Sequence, residues 1–200
     1  MLPWANGGIQ MGIFGWVFLA VLVLLIIFAI SIYNRLVRLR ALVKEGFSGI
    51  TVQLRRRADL IPNLVQTVQG YATHERETLD QVTARRAEAT SAKGVEATAA
   101  ADNAMTGMLR QLFAVAEAYP ELKANTNFLQ LQDQLASVEG ELQSSRRYYN
   151  ATVRDLNSEV QSFPAVLVAK PLGFAEEPFY NDEDPAIQSA PQVSFARPAA

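Results

Sequence analysis

His74 followed by Glu75 is where the side chains of this sequence begin a known catalytic spacing. In His-Glu-x-x-His, two histidines four residues apart hold zinc from one helix face, and the glutamate activates the metal-bound water. Here position 78 is threonine, His74 is the sole histidine of 200 residues, and cysteine is absent. A zinc site would need three carboxylate or external ligands, so neither a metal nor a cofactor is expected. His74 reads instead as a surface or hydrogen-bonding residue. Glu139 and Glu141 are too close in sequence to face each other from a helix as an acid and base pair. With no phosphate-binding glycine loop and no nucleophile motif, no catalytic residue is expected.

Charges placed where an apolar residue would continue a helical stripe are more informative. Arg57 and Glu75 occupy such seam positions, and Glu139 and Arg146 lie beside theirs. In a bundle these groups act as inter-helix or inter-subunit polar contacts that set register at little net gain in stability. The alternative is a solvated rim, and the spacing leaves both open.

The elements that must hold these residues follow from hydropathy. No charge precedes Arg35, and Met11 to Ile32 is apolar apart from two glycines and Ser31. That run crosses a hydrocarbon core of about 30 Å at about 1.5 Å per residue. A cleaved signal peptide would have a charged start, a shorter apolar stretch and small residues at its cleavage site. Bulky Ile32 and Tyr33 stand there instead, so a retained transmembrane helix over 11–33 is expected, with residues 1–10 on the far side. Met11 is an alternative start. Gly8 and Gly12 have the spacing that lets two membrane helices pack closely.

From Arg35 to Arg57, seven basic residues face one acid, Glu45, whereas the rest of the chain is acidic. Positive charge gathered behind an apolar span points to lipid headgroups, with Arg35, Arg38, Arg40 and Lys44 as membrane-surface contacts. Lys and Arg near a span stay cytoplasmic, which places the bulk of the chain there. A basic surface for nucleic acid is absent, so no nucleic-acid partner is expected.

Beyond the span, Phe47, Ile50, Leu54, Ile61, Leu64, Val68, Tyr71, Leu79 and Val82 recur at helical steps, predicting a helix to Ser91–Gly94 with a kink or restart at Pro62 capped by Asp59. A second stripe, Ala101, Met105, Met108, Leu112, Val115 and Tyr119, closes at Pro120. The third runs from Phe128 through Leu135, Leu142, Tyr149 and Val160 to Phe163, capped by Asn125 or Thr126 and stopping at Pro164. Its seven-residue repeat changes to eleven near Tyr149, which relaxes a coiled-coil supercoil. Short loops return the chain antiparallel. The fold class is therefore all-α: one N-terminal transmembrane helix followed by an elongated antiparallel helical bundle over 34–165. Residues 166–200 form a tail that docks through Leu167, Val168, Leu172, Phe174 and Phe179, then becomes disordered after Asp184.

Certain blocks are more specific than this patterning: Tyr33-Asn34 after the span, Leu54 to Val65 continuing to Gly70-Tyr71-Ala72-x-His74-Glu75, Ala118 to Asn125 with Asn127-Phe128, and Arg147-Tyr-Tyr-Asn-Ala151 leading to Asn157 and Phe163-Pro164. On these blocks the chain resembles the LemA family of bacterial membrane proteins from Tyr33 to Phe179. The resemblance implies a single-span inner-membrane protein with a mostly cytoplasmic helical bundle and no established activity or cofactor. Long helices with Arg57, Glu75 and Tyr149-Asn150 in or beside their stripes, and no enzyme constellation, point to a homo-oligomeric scaffold that organises or shapes the membrane. The resemblance adds weight to that role and also implies an alternative, an adaptor or regulator of a membrane protease or envelope-stress pathway. Gly140 departs from the family's usual asparagine, and glycine inside a helix suggests a close helix contact or a bend there.

Overall fold

The apolar repeats wind most of the described residues into helix, as they must when every third or fourth side chain can leave water together. The computed structural model describes residues 5–72 and 76–180. Along these run α1 (Ala5–Gln69), α2 (Arg76–Ser91), α3 (Val95–Glu117), α4 (Pro120–Lys123), α5 (Thr126–Gln161) and α6 (Val166–Ala169). No strand occurs among the described residues, so the all-α class with a long apolar N-terminal helix is as expected.

Two compact units are distinguished, one of residues Met1–Glu45 and Ala151–Glu177, the other of Gly46–Asn150 and Pro178–Ala200. In the first, Phe14 to Ile30 form a sleeve of exposed apolar side chains on α1, with Phe14 69% and Ile30 53% exposed. The sleeve carries no charge and has the hydropathy of a membrane span. Ile32, Leu36, Val43, Val153, Leu156 and Val160 are buried in the same unit. In the second, Ile61, Leu64, Val68, Leu79, Val82, Leu112, Leu122 and Phe128 share one apolar core. Contacts of α1 with α5 there pair Gly49 with Ser145 and Arg56 with Glu141. They descend along α5 as they ascend along α1, which makes the two helices antiparallel.

Several expectations are corrected. The helix does not restart at Pro62; α1 passes through it, and Asp59 is interior rather than a cap. A proline inside a helix leaves the carbonyl four residues earlier without its N–H donor. That carbonyl belongs to Ala58, and Arg86 of α2 donates its Nε–H to it at 2.8 Å. The defect is thus repaired from a neighbouring helix. Replacing Arg86 with alanine should lower stability by about 1 kcal/mol, since water partly reaches the site. In a Pro62→Ala background, where residue 62 supplies its own N–H, the same change should cost less. Urea unfolding of the four proteins in detergent, followed by circular dichroism, checks this; an equal cost in both backgrounds would refute it.

Nor is the helix continuous to Ser91. It ends at Gln69, and a turn at Gly70 and Tyr71, closed by Tyr71 N–H and Ala72 N–H on the Val68 carbonyl, precedes α2. The buried face of α3 is Thr98, Asp102, Met105, Leu109, Leu112 and Ala116. Met108, Val115 and Tyr119 of the expected stripe are only half-buried. Asn125 does cap α5: its Oδ1 accepts from Asn127 N–H and Phe128 N–H. Gly140 makes no close contact, because a Cβ there would meet nothing within 4 Å. The close approach is at Gly46, whose Cβ would lie 3.0 Å from Tyr149 Cα. Phe163, the expected end of the third stripe, is 81% exposed. Of the expected docking residues only Phe174 is buried, while Leu167, Leu172 and Phe179 are exposed. Residues after Asp184 lie outside the described residues.

Candidate functional site

Three helices of the second unit each place one charged residue within their own apolar stripe. Arg57 falls between Leu54 and Ile61 on α1, Asp102 between Thr98 and Met105 on α3, and Arg146 between Leu142 and Tyr149 on α5. All three are at least 94% buried. A charge in the core persists only when paired and hydrogen-bonded, so these positions have to meet.

They meet on the Asp102 carboxylate, whose side chain has no exposed surface. Its Oδ1 accepts from Arg57 Nη1 at 3.0 Å. Its Oδ2 accepts from Arg146 Nη2 and, at 2.9 Å, from the Tyr180 hydroxyl. The Arg146 guanidinium lies 5.5 Å from the centroid of the Tyr180 ring, an additional cation–π contact. Arg57 also donates to Thr106 Oγ1 at 3.0 Å, and that hydroxyl donates to the Asp102 backbone carbonyl. Glu139 completes the charge balance as an ion pair with Arg57 at 3.3 Å, without hydrogen-bond geometry. Two guanidiniums thus face two carboxylates.

Tyr180 reaches the centre because the polypeptide after α6 is held by side chains of α5. Asn150 donates Nδ2–H to the Tyr180 carbonyl and accepts from Tyr180 N–H, so its amide pairs with the tail as a strand's peptide group would. The Tyr149 hydroxyl donates to the Pro178 carbonyl at 2.8 Å. In the first unit, Asn157 makes the same two-point contact with the backbone of Glu177.

Chemically, this centre is closed. Both carboxylate oxygens of Asp102 accept from cationic or hydroxyl donors and the side chain has no exposed surface, so it is not placed to meet a substrate from solvent. A groove of about 360 Å³ borders it through Arg57, Thr106 and Glu139, with Arg110 and Phe113 along its wall. Asp102 does not line it.

The residues singled out from sequence fall in different places. Arg57, Glu139 and Arg146 come together around Asp102, while Glu75, like His74, lies outside the described residues. Asp102, Thr106 and Tyr180 were missed. The signal for Asp102 was present, since it lies three residues before Met105 and seven before Leu109 on one helix face. In the first unit, Arg35 pairs with Glu159 at 3.0 Å, and Arg40 lies 5.9 Å from the Phe174 ring centroid. Arg38 and Lys44 are exposed.

Comparison with known proteins follows the same residues. Protein LemA of Metamycoplasma hominis is 28% identical over 144 residues, which cover 70% of this chain and 64% of that protein. Magnetosome proteins MamQ 1 and MamQ 2 of Paramagnetospirillum magneticum are each 22% identical over 177 residues, covering 76% of this chain and 65% of theirs. A model of the LemA family matches residues 46–195, which include Asp102, Arg57, Arg146, Glu139 and Tyr180. This chain therefore belongs to the LemA family.

Proposed function

We propose that the chain is a non-catalytic scaffold, anchored by a single span in the bacterial inner membrane, that self-associates there and organises or shapes the membrane. The carrying observation is that α1 bears both an exposed apolar sleeve, Phe14 to Ile30, and Arg57, one of the charges closed around Asp102. A sleeve of that length belongs in lipid, and a carboxylate buried among two arginines and a tyrosine hydroxyl serves architecture rather than turnover.

In this reading residues 11–33 cross the bilayer, residues 34–165 form the cytoplasmic bundle, and Arg35, Arg38, Arg40 and Lys44 stand among the headgroups. Self-association is supported by the sequence of the span: Gly8 and Gly12 have the four-residue spacing at which membrane helices pack closely. The magnetosome names of two relatives favour a role at a membrane assembly.

Purification in mild detergent followed by mass measurement tests the proposal, with a defined homo-oligomer expected. A strictly monomeric particle would sink it. A stoichiometric membrane protease recovered by cross-linking and pull-down would favour the adaptor role instead.

A further inference from the structure

Between Phe163 and Ala175 the chain has one charge, Lys170, and no acid. Its small residues are turned inward, Ala165 being 3% and Ala169 0% exposed. Three of its large ones are turned outward: Phe163 is 81%, Leu167 65% and Leu172 53% exposed. Bonds from Val166 N–H to the Ser162 carbonyl and from Ala169 N–H to the Ala165 carbonyl keep the segment wound. Phe163 and Leu167 are the two most exposed large side chains of the segment. Leaving such side chains in water forfeits about 1.5–3 kcal/mol each relative to burial.

Both ends of the segment are tied to α1 at one level. Glu159, four residues before Phe163, pairs with Arg35, and the Phe174 ring packs edge-on against Tyr33 with centroids 5.8 Å apart. The exposed apolar sleeve ends at Ile30, three to five residues away, or about 5–8 Å along the helix axis. The outward-facing phenylalanine and leucines thus lie where the apolar sleeve gives way to charge.

We propose that Phe163–Leu172 is a second membrane-contact element, lying in the leaflet from which α1 emerges. Phe163, Leu167 and Leu172 enter the boundary between headgroups and acyl chains, and Lys170 extends its ammonium to the lipid phosphates. The occupant is the bilayer because the patch continues the surface of the sleeve. The inference rests on reading α1 as a membrane span.

The test uses the full chain with Trp4→Phe and Trp16→Phe, reconstituted in phosphatidylcholine and phosphatidylglycerol vesicles containing lipids brominated near the headgroup end of one acyl chain and near the methyl end of the other. Single tryptophans are placed by Phe163→Trp, Leu167→Trp, Leu24→Trp in the sleeve and Leu129→Trp in the bundle. Phe163→Trp and Leu167→Trp each exchange one exposed apolar side chain for another, and the two report independently. The expected result is that both lose roughly half of their emission to the brominated lipid, as Leu24→Trp is also quenched, while Leu129→Trp is unchanged. Quenching at Leu24→Trp with none at Phe163→Trp and Leu167→Trp overturns the inference and leaves the span standing. No quenching at Leu24→Trp overturns the span and the inference with it.

Discussion

Replacing Asp102 with alanine should lower the unfolding free energy of the bundle by about 3–5 kcal/mol, because it leaves Arg57 and Arg146 buried without their shared counter-charge. Glu139 is a poor substitute for it: its side chain is 35% exposed, and its pair with Arg57 lacks hydrogen-bond geometry. The loss should be read from urea unfolding of the full chain in detergent by circular dichroism. The triple change Arg57→Met, Asp102→Leu and Arg146→Met removes the charges together and should recover most of the stability, since apolar residues of similar volume replace buried ion pairs at little cost. An Asp102→Ala protein within about 1 kcal/mol of the parent would mean that water reaches the arginines.

The second large effect is expected at Tyr180. Truncating this 97% buried ring to alanine should cost about 3–5 kcal/mol, the range for large aromatic side chains in a core. It removes the hydroxyl donor to Asp102 and the ring beside Arg146. Tyr180→Phe keeps the ring and should cost less, about 1.5–3 kcal/mol, the value of a hydrogen bond to a charged group. Because Tyr180 and Asp102 touch, Tyr180→Ala and Asp102→Ala together should fall short of the sum of the two. Additivity would show that the tail and the charged core are independent. The same unfolding measurement decides it.

Both effects concern residues that spacing alone did not single out, although their surroundings were legible. Arg57 stood out because it interrupts a stripe, and Arg146 because it lies beside one. Asp102 interrupts the stripe of α3, but the half-buried Ala101, Met108 and Val115 beside it extended the apolar series and drew the stripe away from it. Tyr180 had no local signal: it follows two prolines and a glycine, where no periodicity exists to assign a face. The Tyr149, Asn150 and Asn157 side chains that hold the tail were visible as part of the family's pattern, yet their partners are backbone groups of residues 177–180. Backbone partners leave no mark in residue type.

The same division explains the helix boundaries. Asn125 caps α5 as its residue type dictates, because capping uses atoms within three residues. Pro62 was expected to kink or restart its helix on equally local grounds, but Arg86, 24 positions later, supplies the missing donor and the helix continues. Gly140 and Gly46 are both glycines within helices, and only the packing of α1 on α5 separates an open position from a close approach.

By itself, then, the sequence determined the apolar sleeve, the helical class and the places where charge would have to be buried, since these depend on spacing along one helix. The tertiary structure decided that Arg57 and Arg146 share one carboxylate, that Tyr180 seals it, and that Phe163 and Leu167 face outward near the end of the sleeve. Those outcomes depend on which helices meet and at what level, and no single helix carries that information.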